Sequence, residues 1–286
     1  MRITGLYFSG FGPFQGENML HLDTDDERVL FLGISGSGKS TVLRGIAALW
    51  MELKRYSDHL PSAYEGIGSM AMVIQTDKRE AIIACGKETL LKEAQKSHQG
   101  AWWLHAKRGG FDVSDENMPV FSNLCLLDGD REEAASYAPF FITDIDVLGF
   151  QKGQAAMEES KKEELMEIVN RLWVGKTLVA TGEGLKARLD SGILHTISET
   201  SMGERRILGL CYLACTQLRE GGVLLLDEPD VHVHPSQMVG LIAALEREVL
   251  KKNGQLMLIS HHSELWNRYD LLGKVVVLGG THERIG

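Results

Sequence analysis

At 286 residues, 44% of them hydrophobic and 24% charged, the chain has the make-up of a soluble globular protein with a substantial core. No apolar run approaches the ~20 residues of a membrane span, and the opening MRITGLYFSG lacks the basic, apolar and cleavage regions of a signal peptide, so a cytoplasmic protein with no membrane partner is expected. Four cysteines are too few for a disulfide scaffold, and a net charge of −9 excludes a chain that coats nucleic acid by bulk electrostatics, although a local basic groove remains compatible with it.

Alternating apolar residues over 3–8 predict an opening strand. VLFLG at Val29–Gly33 reads as a buried strand running into a glycine loop, followed by a helix through about Leu53. SMAMVIQ and AIIACG flank TDKRE and predict an antiparallel hairpin, with AWWLHA and VFSNLCLL as further strands of a β-rich stretch. Gln154–Trp173 is rich in Glu and Lys and sets Leu165, Ile168, Val169 and Leu172 at helical spacing, as an amphipathic helix on a peripheral lobe does. A helix over Gly203–Arg219 follows, in which Cys211 and Cys215 read as small buried hydrophobes because no His or Cys partner stands at a zinc-like spacing. VLLLDEP, a helix from Pro235 to about Lys251, QLMLIS and KVVVLG then alternate strand and helix in the manner of a largely parallel sheet.

Residues Gly33–Ser40, GISGSGKS, fit the pattern GxxxxGK[ST] between a strand and a helix. Glycines at 33, 36 and 38 let the backbone N–H groups of the loop, Ser35 and Ser37 included, turn inward, and the helix N-terminus adds positive partial charge, which together cradle polyphosphate. Lys39 is placed to reach the β- and γ-phosphates, Ser40 to give Mg²⁺ a hydroxyl ligand, and Thr41 continues into the helix. The apolar strand Val223–Leu226 ends in Asp227 and Glu228, the first suited to hold Mg²⁺ and the second to polarise an attacking water. Thr200-Ser201-Met202-Gly203-Glu204-Arg205-Arg206 opens a helix with a free hydroxyl, which alone is a capped helix or an anion site. QLMLIS ends at His261 and His262.

Taken in order, GISGSGKS, TSMGERR, LLLDEPDVHVHP and LISHHS resemble the Walker A, signature, Walker B with D-loop, and switch-histidine motifs of ABC-type ATPases. The resemblance is to the non-transporter branch, which includes the structural-maintenance-of-chromosomes proteins, recombination and repair ATPases and overcoming-lysogenisation-defect phage-defence ATPases; FSGFGPFQGENMLHL before the loop is similar to that branch too. It implies an α/β P-loop NTPase with an ABC-ATPase-like core of mainly parallel sheet, an antiparallel β subdomain and a helical lobe. One domain over 1–286 is expected, with core segments 1–55 and 200–286 and insertions over about 56–199.

The same resemblance implies a homodimer that closes on two molecules of ATP with Mg²⁺. Ser201 and Gly203 of one subunit would contact the γ-phosphate held by the other, Asp230 would belong to the dimer-contacting D-loop, and His261, reached by counting apolar run, Ser, His, would contact the γ-phosphate. Gln151 in VLGFQKGQ is the candidate for the family's loop glutamine, with Gln75 as the alternative. Ser35 stands where many relatives carry Asn, and Met202 where a small residue is common.

Ser40 and Ser201 are 161 positions apart without sustained heptads, so no coiled-coil rod is expected, and the 25 residues after His261 are too few for a fused nuclease. The expected activity is ATP hydrolysis that signals to a separate effector, a nuclease or toxin, in phage defence or DNA maintenance. A non-hydrolysing ATP-held scaffold and the cytosolic subunit of a transporter are the alternatives. Trp102, Trp103, His105, Lys107 and Arg108 form either an aromatic and basic surface for nucleic acid or protein, or an ordinary strand with one Trp packed inward; Arg205 and Arg206 line a dimer interface or solvate a helix.

Overall fold

The computed structural model describes residues 1–64, 68–127, 150 and 153–279. Strands β1 (Arg2–Phe11) and β2 (Phe14–His21) form a hairpin, and β3 (Arg28–Leu32) runs through the glycine loop into helix α1 (Lys39–Ser57). The hairpin expected around TDKRE is β4 (Ser69–Gln75) and β5 (Glu80–Cys85), after which α2 (Glu88–Ser97) crosses to β6 (Trp102–Lys107) and β7 (Gly110–Val113). Next come β8 (Leu124–Leu127), α3 (Glu159–Leu172) and the small antiparallel sheet of β9 (Lys176–Thr181), β10 (Gly184–Leu189) and β11 (Leu194–His195). Helix α4 (Met202–Tyr212) ends in a π-helical turn over Leu213–Gln217 and leads to β12 (Val223–Asp227). Helix α5 (Pro235–Lys251), β13 (Gln255–Ile259), α6 (Ser263–Leu271) and β14 (Val275–Val277) follow.

Five strands make a parallel sheet in the order β14-β3-β13-β12-β8. Parallel strands are covered on both faces, which is why they read as continuous apolar runs. Alternation about each strand sends its residues into two cores. Leu30, Leu224, Leu226, Leu256 and Leu258 pack with α3, α4 and α5, while Val29, Phe31, Val223, Leu225, Met257 and Ile259 pack with α1 and the second sheet. That second sheet, β2-β1-β4-β5-β6-β7, is antiparallel except at β5 and β6, whose parallel pairing depends on the α2 crossover. Leu90, Leu91 and Ala94 of α2 cover its outer face against Tyr7, Val73 and Ile82.

Several elements depart from the sequence reading. LCLL of VFSNLCLL pairs with β12 in the parallel sheet instead of joining the β-rich region, and β1, with β2 at its other side, pairs with β4 although both precede the core strand β3. A short apolar run carries no information about its partner. The amphipathic helix begins at Glu159, because the backbone breaks over 156–158 after a helical turn at 153–155; Gln154 in that turn is buried, and its Oε1 accepts the Leu185 N–H at 2.8 Å. Its apolar residues are the four expected, and they enter the main core, so the helical lobe is fastened to α4 and α5. Helices α2 and α6 and the sheet of β9, β10 and β11 have no counterpart in the sequence reading. Trp102 is fully buried with its Nε1 donating to the Asp115 carbonyl, and His105 is buried against the Gly86 carbonyl, so this strand does not present the five residues 102, 103, 105, 107 and 108 as one surface. Among the described residues no helix is long and apolar enough to cross a membrane.

Leu258 sits at the centre of the sheet with no exposed surface, in register with Leu30 on one side and Leu226 on the other. Leu258→Ala is expected to destabilise the fold by about 2–5 kcal/mol, measured as a lower urea midpoint with an unchanged slope. A cost below about 1 kcal/mol would contradict this placement of the core.

Candidate functional site

The glycine loop connects β3 to α1 and follows a path only glycine tolerates. Gly38 caps the helix at φ 95, and a Cβ there would lie 2.7 Å from Pro13 and 2.8 Å from the Phe14 ring. The tip of the β1–β2 hairpin therefore rests on the loop, with Phe14 stacked on the buried Phe8 at 4.8 Å. This is the physical content of the FSGFGPF segment. Gly33 and Gly36 are also at positive φ, with Ser35 between them and Ser37 between Gly36 and Gly38. Lys39 is buried, and its ammonium donates to the carbonyls of Gly33 at 2.8 Å and Ile34 at 3.1 Å, so it lies inside the loop it belongs to.

Ser40 begins α1 and Asp227 ends β12, two strands away in the sheet; the Ser40 hydroxyl donates to Asp227 Oδ1 at 3.1 Å. Two hard oxygen donors side by side at a glycine loop fit Mg²⁺, which takes carboxylate, hydroxyl and phosphate oxygens. Thr41 stands one residue further along and its methyl lies under Gly12 of the hairpin, where a Cβ would approach to 2.7 Å.

Glu228 leaves the strand in the left-handed region at φ 47, uncommon for a residue with a side chain. Its backbone is held from both sides: the N–H donates to the Ile259 carbonyl at 3.1 Å, and its carbonyl accepts from Arg206 Nη2 at 3.2 Å. The turn aims the carboxylate at His261, with Oε1 3.2 Å from Nε2. His262, by contrast, caps α6, and its Nδ1 is buried without a hydrogen-bond partner among the described residues. Of the two histidines, His261 is the one facing the acids.

Ser201 caps α4 in a full capping box: its Oγ accepts the Glu204 N–H at 3.3 Å and Glu204 Oε2 accepts the Ser201 N–H at 2.8 Å. Lys176 bonds the same Glu204, and together the donors hold its carboxyl below the usual carboxylate range against the opposing effect of burial. Gly203 lets the helix start close against the loop after β12, since a Cβ would lie 2.4 Å from the His232 carbonyl. The contacts of Ser201 and Gly203 within the chain are with Glu204 and His232, not with the glycine loop. Arg206 is buried beneath Glu228, and Arg205 donates to the carbonyls of Ser198 and Thr200, so neither merely solvates the helix. The role of Arg206 was hidden in the sequence because its partner is a backbone atom far along the chain.

Gln151 lies outside the described residues. Gln75 pairs with Arg2, whose guanidinium donates to the Gly254 carbonyl just before β13, and thus stands at the amino ends of the core strands. The loop and acids stand at the carboxyl ends, so Gln75 is not part of the constellation.

A family sequence model described as "AAA domain, putative AbiEii toxin, Type IV TA system" matches residues 188–267, the stretch from β10 through His261. No curated protein matches the chain. Among solved structures, the SMC head domain from Thermotoga maritima superposes with TM-score 0.53 at 16% identity, covering 93% of this chain and 92% of that one. The Smc head domain with an extended coiled coil, bound to the C-terminal domain of ScpA derived from Pyrococcus furiosus, gives TM-score 0.53 at 12% identity over 93% and 91%. The chain has the fold of these SMC head domains.

Within this head fold, the glycine loop is held from behind by the β1–β2 hairpin. Gly38→Ala would meet both a strained φ and the Pro13 and Phe14 rings. We expect it to weaken ATP binding at least about tenfold, measured with a fluorescent ATP analogue, while far-ultraviolet circular dichroism stays unchanged. Unaltered affinity would contradict the loop's placement.

Proposed function

We propose that the chain binds Mg²⁺ and ATP at Gly33–Ser40, hydrolyses ATP, and closes into a homodimer on binding it, passing that state to a separate effector protein. The single observation that carries the reading is the pair of contacts at one sheet edge: Ser40 with Asp227, and Glu228 with His261. A non-catalytic binding site needs the first pair but has no use for the second. Backbone N–H groups of the loop, with Lys39, would hold the phosphates. Ser40 and Asp227 would hold Mg²⁺, which neutralises phosphate charge when bound. Glu228 would orient and deprotonate the attacking water, and His261 would hold that carboxylate in place and reach the terminal phosphate.

Dimer closure is supported by the surface. Ile34 on the loop is 77% exposed and Met202 beside Ser201 is 49% exposed, apolar side chains at the two ends that would meet. In a head-to-tail pair, the Ser201 end of α4 in one subunit would cover the loop of the other, burying both. Ser201 and Gly203 would then complete the phosphate site in trans. The 188–267 match to a family described by a toxin and a type IV TA system supports a place in defence, with DNA maintenance as the neighbouring role suggested by the SMC heads; the effector would be a nuclease or toxin carried on its own chain. The Pyrococcus head bound to ScpA is an instance of this fold docking a separate protein.

Glu228→Gln keeps the shape of the side chain and removes the base. ATP turnover is expected to fall about 10²–10⁴-fold, and light scattering should show dimer accumulating with ATP. Turnover equal to wild type, or a mutant that stays monomeric with bound ATP, would overturn the reading.

A further inference from the structure

The π-helical turn that ends α4 carries Cys215, which is buried. A π turn inserts a residue into a helix and is common where a side chain has to be aimed. Here it turns Cys215 toward Glu164 of α3 and Glu248 of α5: the Sγ and one carboxylate oxygen from each acid all lie within 4.8 Å of one another. Sequence spacing gave no hint of the cluster, because its members come from three helices far apart in the chain.

Glu248 is the unusual member. Its side chain is 1% exposed, and its Oε1 is engaged by Lys251 Nζ at 2.9 Å and by Arg247 Nε at 3.5 Å. Oε2 is buried with no hydrogen-bond partner among the described residues. A buried anionic oxygen without a donor carries its full desolvation cost and is relieved by a cation or by a proton shared with the neighbouring Glu164 carboxyl. Lys251 supplies part of one: its ammonium also bonds Glu164 Oε1 at 2.8 Å, so a positive charge already sits between the two acids. That lysine is half-exposed and reaches in from solvent, along a cavity of about 390 Å³ lined by Glu164, Glu167, Arg171 and Arg247 among others. It leaves both Oε2 and the Cys215 sulfur unmet.

We propose that Cys215, Glu164 and Glu248 form a binding site for a borderline-soft divalent cation of the Zn²⁺ class, with water as the fourth ligand and Lys251 swung out to solvent. One thiolate and two carboxylates are ligands Zn²⁺ accepts, and the sulfur selects against Mg²⁺. Burial pushes the Cys215 thiol up to about 12, so it holds its proton until a metal arrives. Coordination then releases that proton to water as the metal–sulfur bond forms, which makes affinity rise with pH. Lys252, whose ammonium bonds the Cys215 carbonyl at 3.0 Å, offsets part of the excess negative charge of three anionic ligands. The ion would join α3, the end of α4 and α5, and so brace the helical face behind the Ser201 cap. The site is separate from Ser40 and Asp227 and does not depend on the proposed ATP chemistry.

The test is titration of the chelator-stripped full chain with Co²⁺, a spectroscopic stand-in for Zn²⁺. About one equivalent should bind with a near-ultraviolet thiolate-to-cobalt band that Zn²⁺ displaces, a band that the oxygen ligands of the phosphate site do not produce. Cys215→Ser should abolish the band, Glu248→Gln should weaken binding at least about tenfold, and Lys251→Met should tighten it by removing the competing ammonium. If Glu248→Gln fails to fold, Glu164→Gln at the more exposed acid gives the same reading. Absence of the band in wild type, its survival in Cys215→Ser, unchanged affinity in both glutamine variants, or weaker binding in Lys251→Met would each overturn the proposal.

Discussion

The candidate site depends on the register of three neighbouring parallel strands. Phe31, Ile259 and Asp227 stand in one row across β3, β13 and β12. From that row β3 passes into the glycine loop, β13 into Ser260 and His261, and β12 into Glu228. Slipping any strand by one residue would exchange its two faces, moving leucines meant for α3–α5 onto α1 and the second sheet. The packing that fixes the two cores therefore also fixes the meeting of Ser40 with Asp227 and of His261 with Glu228. Ligands at the carboxyl ends of parallel strands follow from the same constraint.

The start of α4 is tied into this row from a second direction. Arg206 reaches from the helix to the Glu228 carbonyl, and Gly203 lets the helix lie against the His232 carbonyl in the loop after β12. Any shift of α4 on meeting a partner would thus be felt at the backbone of the carboxylate that faces His261. Ser201 is exposed at the helix tip, where its hydroxyl accepts the Glu204 N–H in the capping box. A helix N-terminus with its remaining N–H groups open to solvent is a surface on which an anion is stabilised.

What could be read in the sequence was whatever depends on neighbours in the chain. The glycine loop, the apolar run ending in two acids, the capped helix and the strand before His261 each carry a local signal, and the structure brings Ser40 to Asp227 and Glu228 to His261 at the carboxyl ends of the sheet. The partners of short strands were not legible: LCLL reads the same whether it pairs in the parallel sheet or in the β-rich one. The hairpin of β9 and β10 did carry a turn signal, Thr181-Gly182-Glu183-Gly184, that a stricter strand reading would have used. Arg206 and the group formed by Glu164, Cys215 and Glu248 were beyond reach, because their contacts exist only after the helices have packed. The burial of Cys215 was legible from its apolar surroundings in the chain, whereas its neighbours Glu164 and Glu248 were not.

The central claim, that each phosphate site is completed by a second copy, is tested most directly by mixing two inactive variants. Lys39→Ala disables the loop and Ser201→Arg disables the helix tip. In a head-to-tail heterodimer one composite site would carry both lesions and the other neither. Equal mixing after dissociation should restore about one quarter of wild-type ATP turnover per chain, since half the dimers are mixed and each holds one intact site. If the mixture stays as inactive as its components while both variants remain folded and able to dimerise, Ser201 does not act across the interface and the composite-site account is wrong.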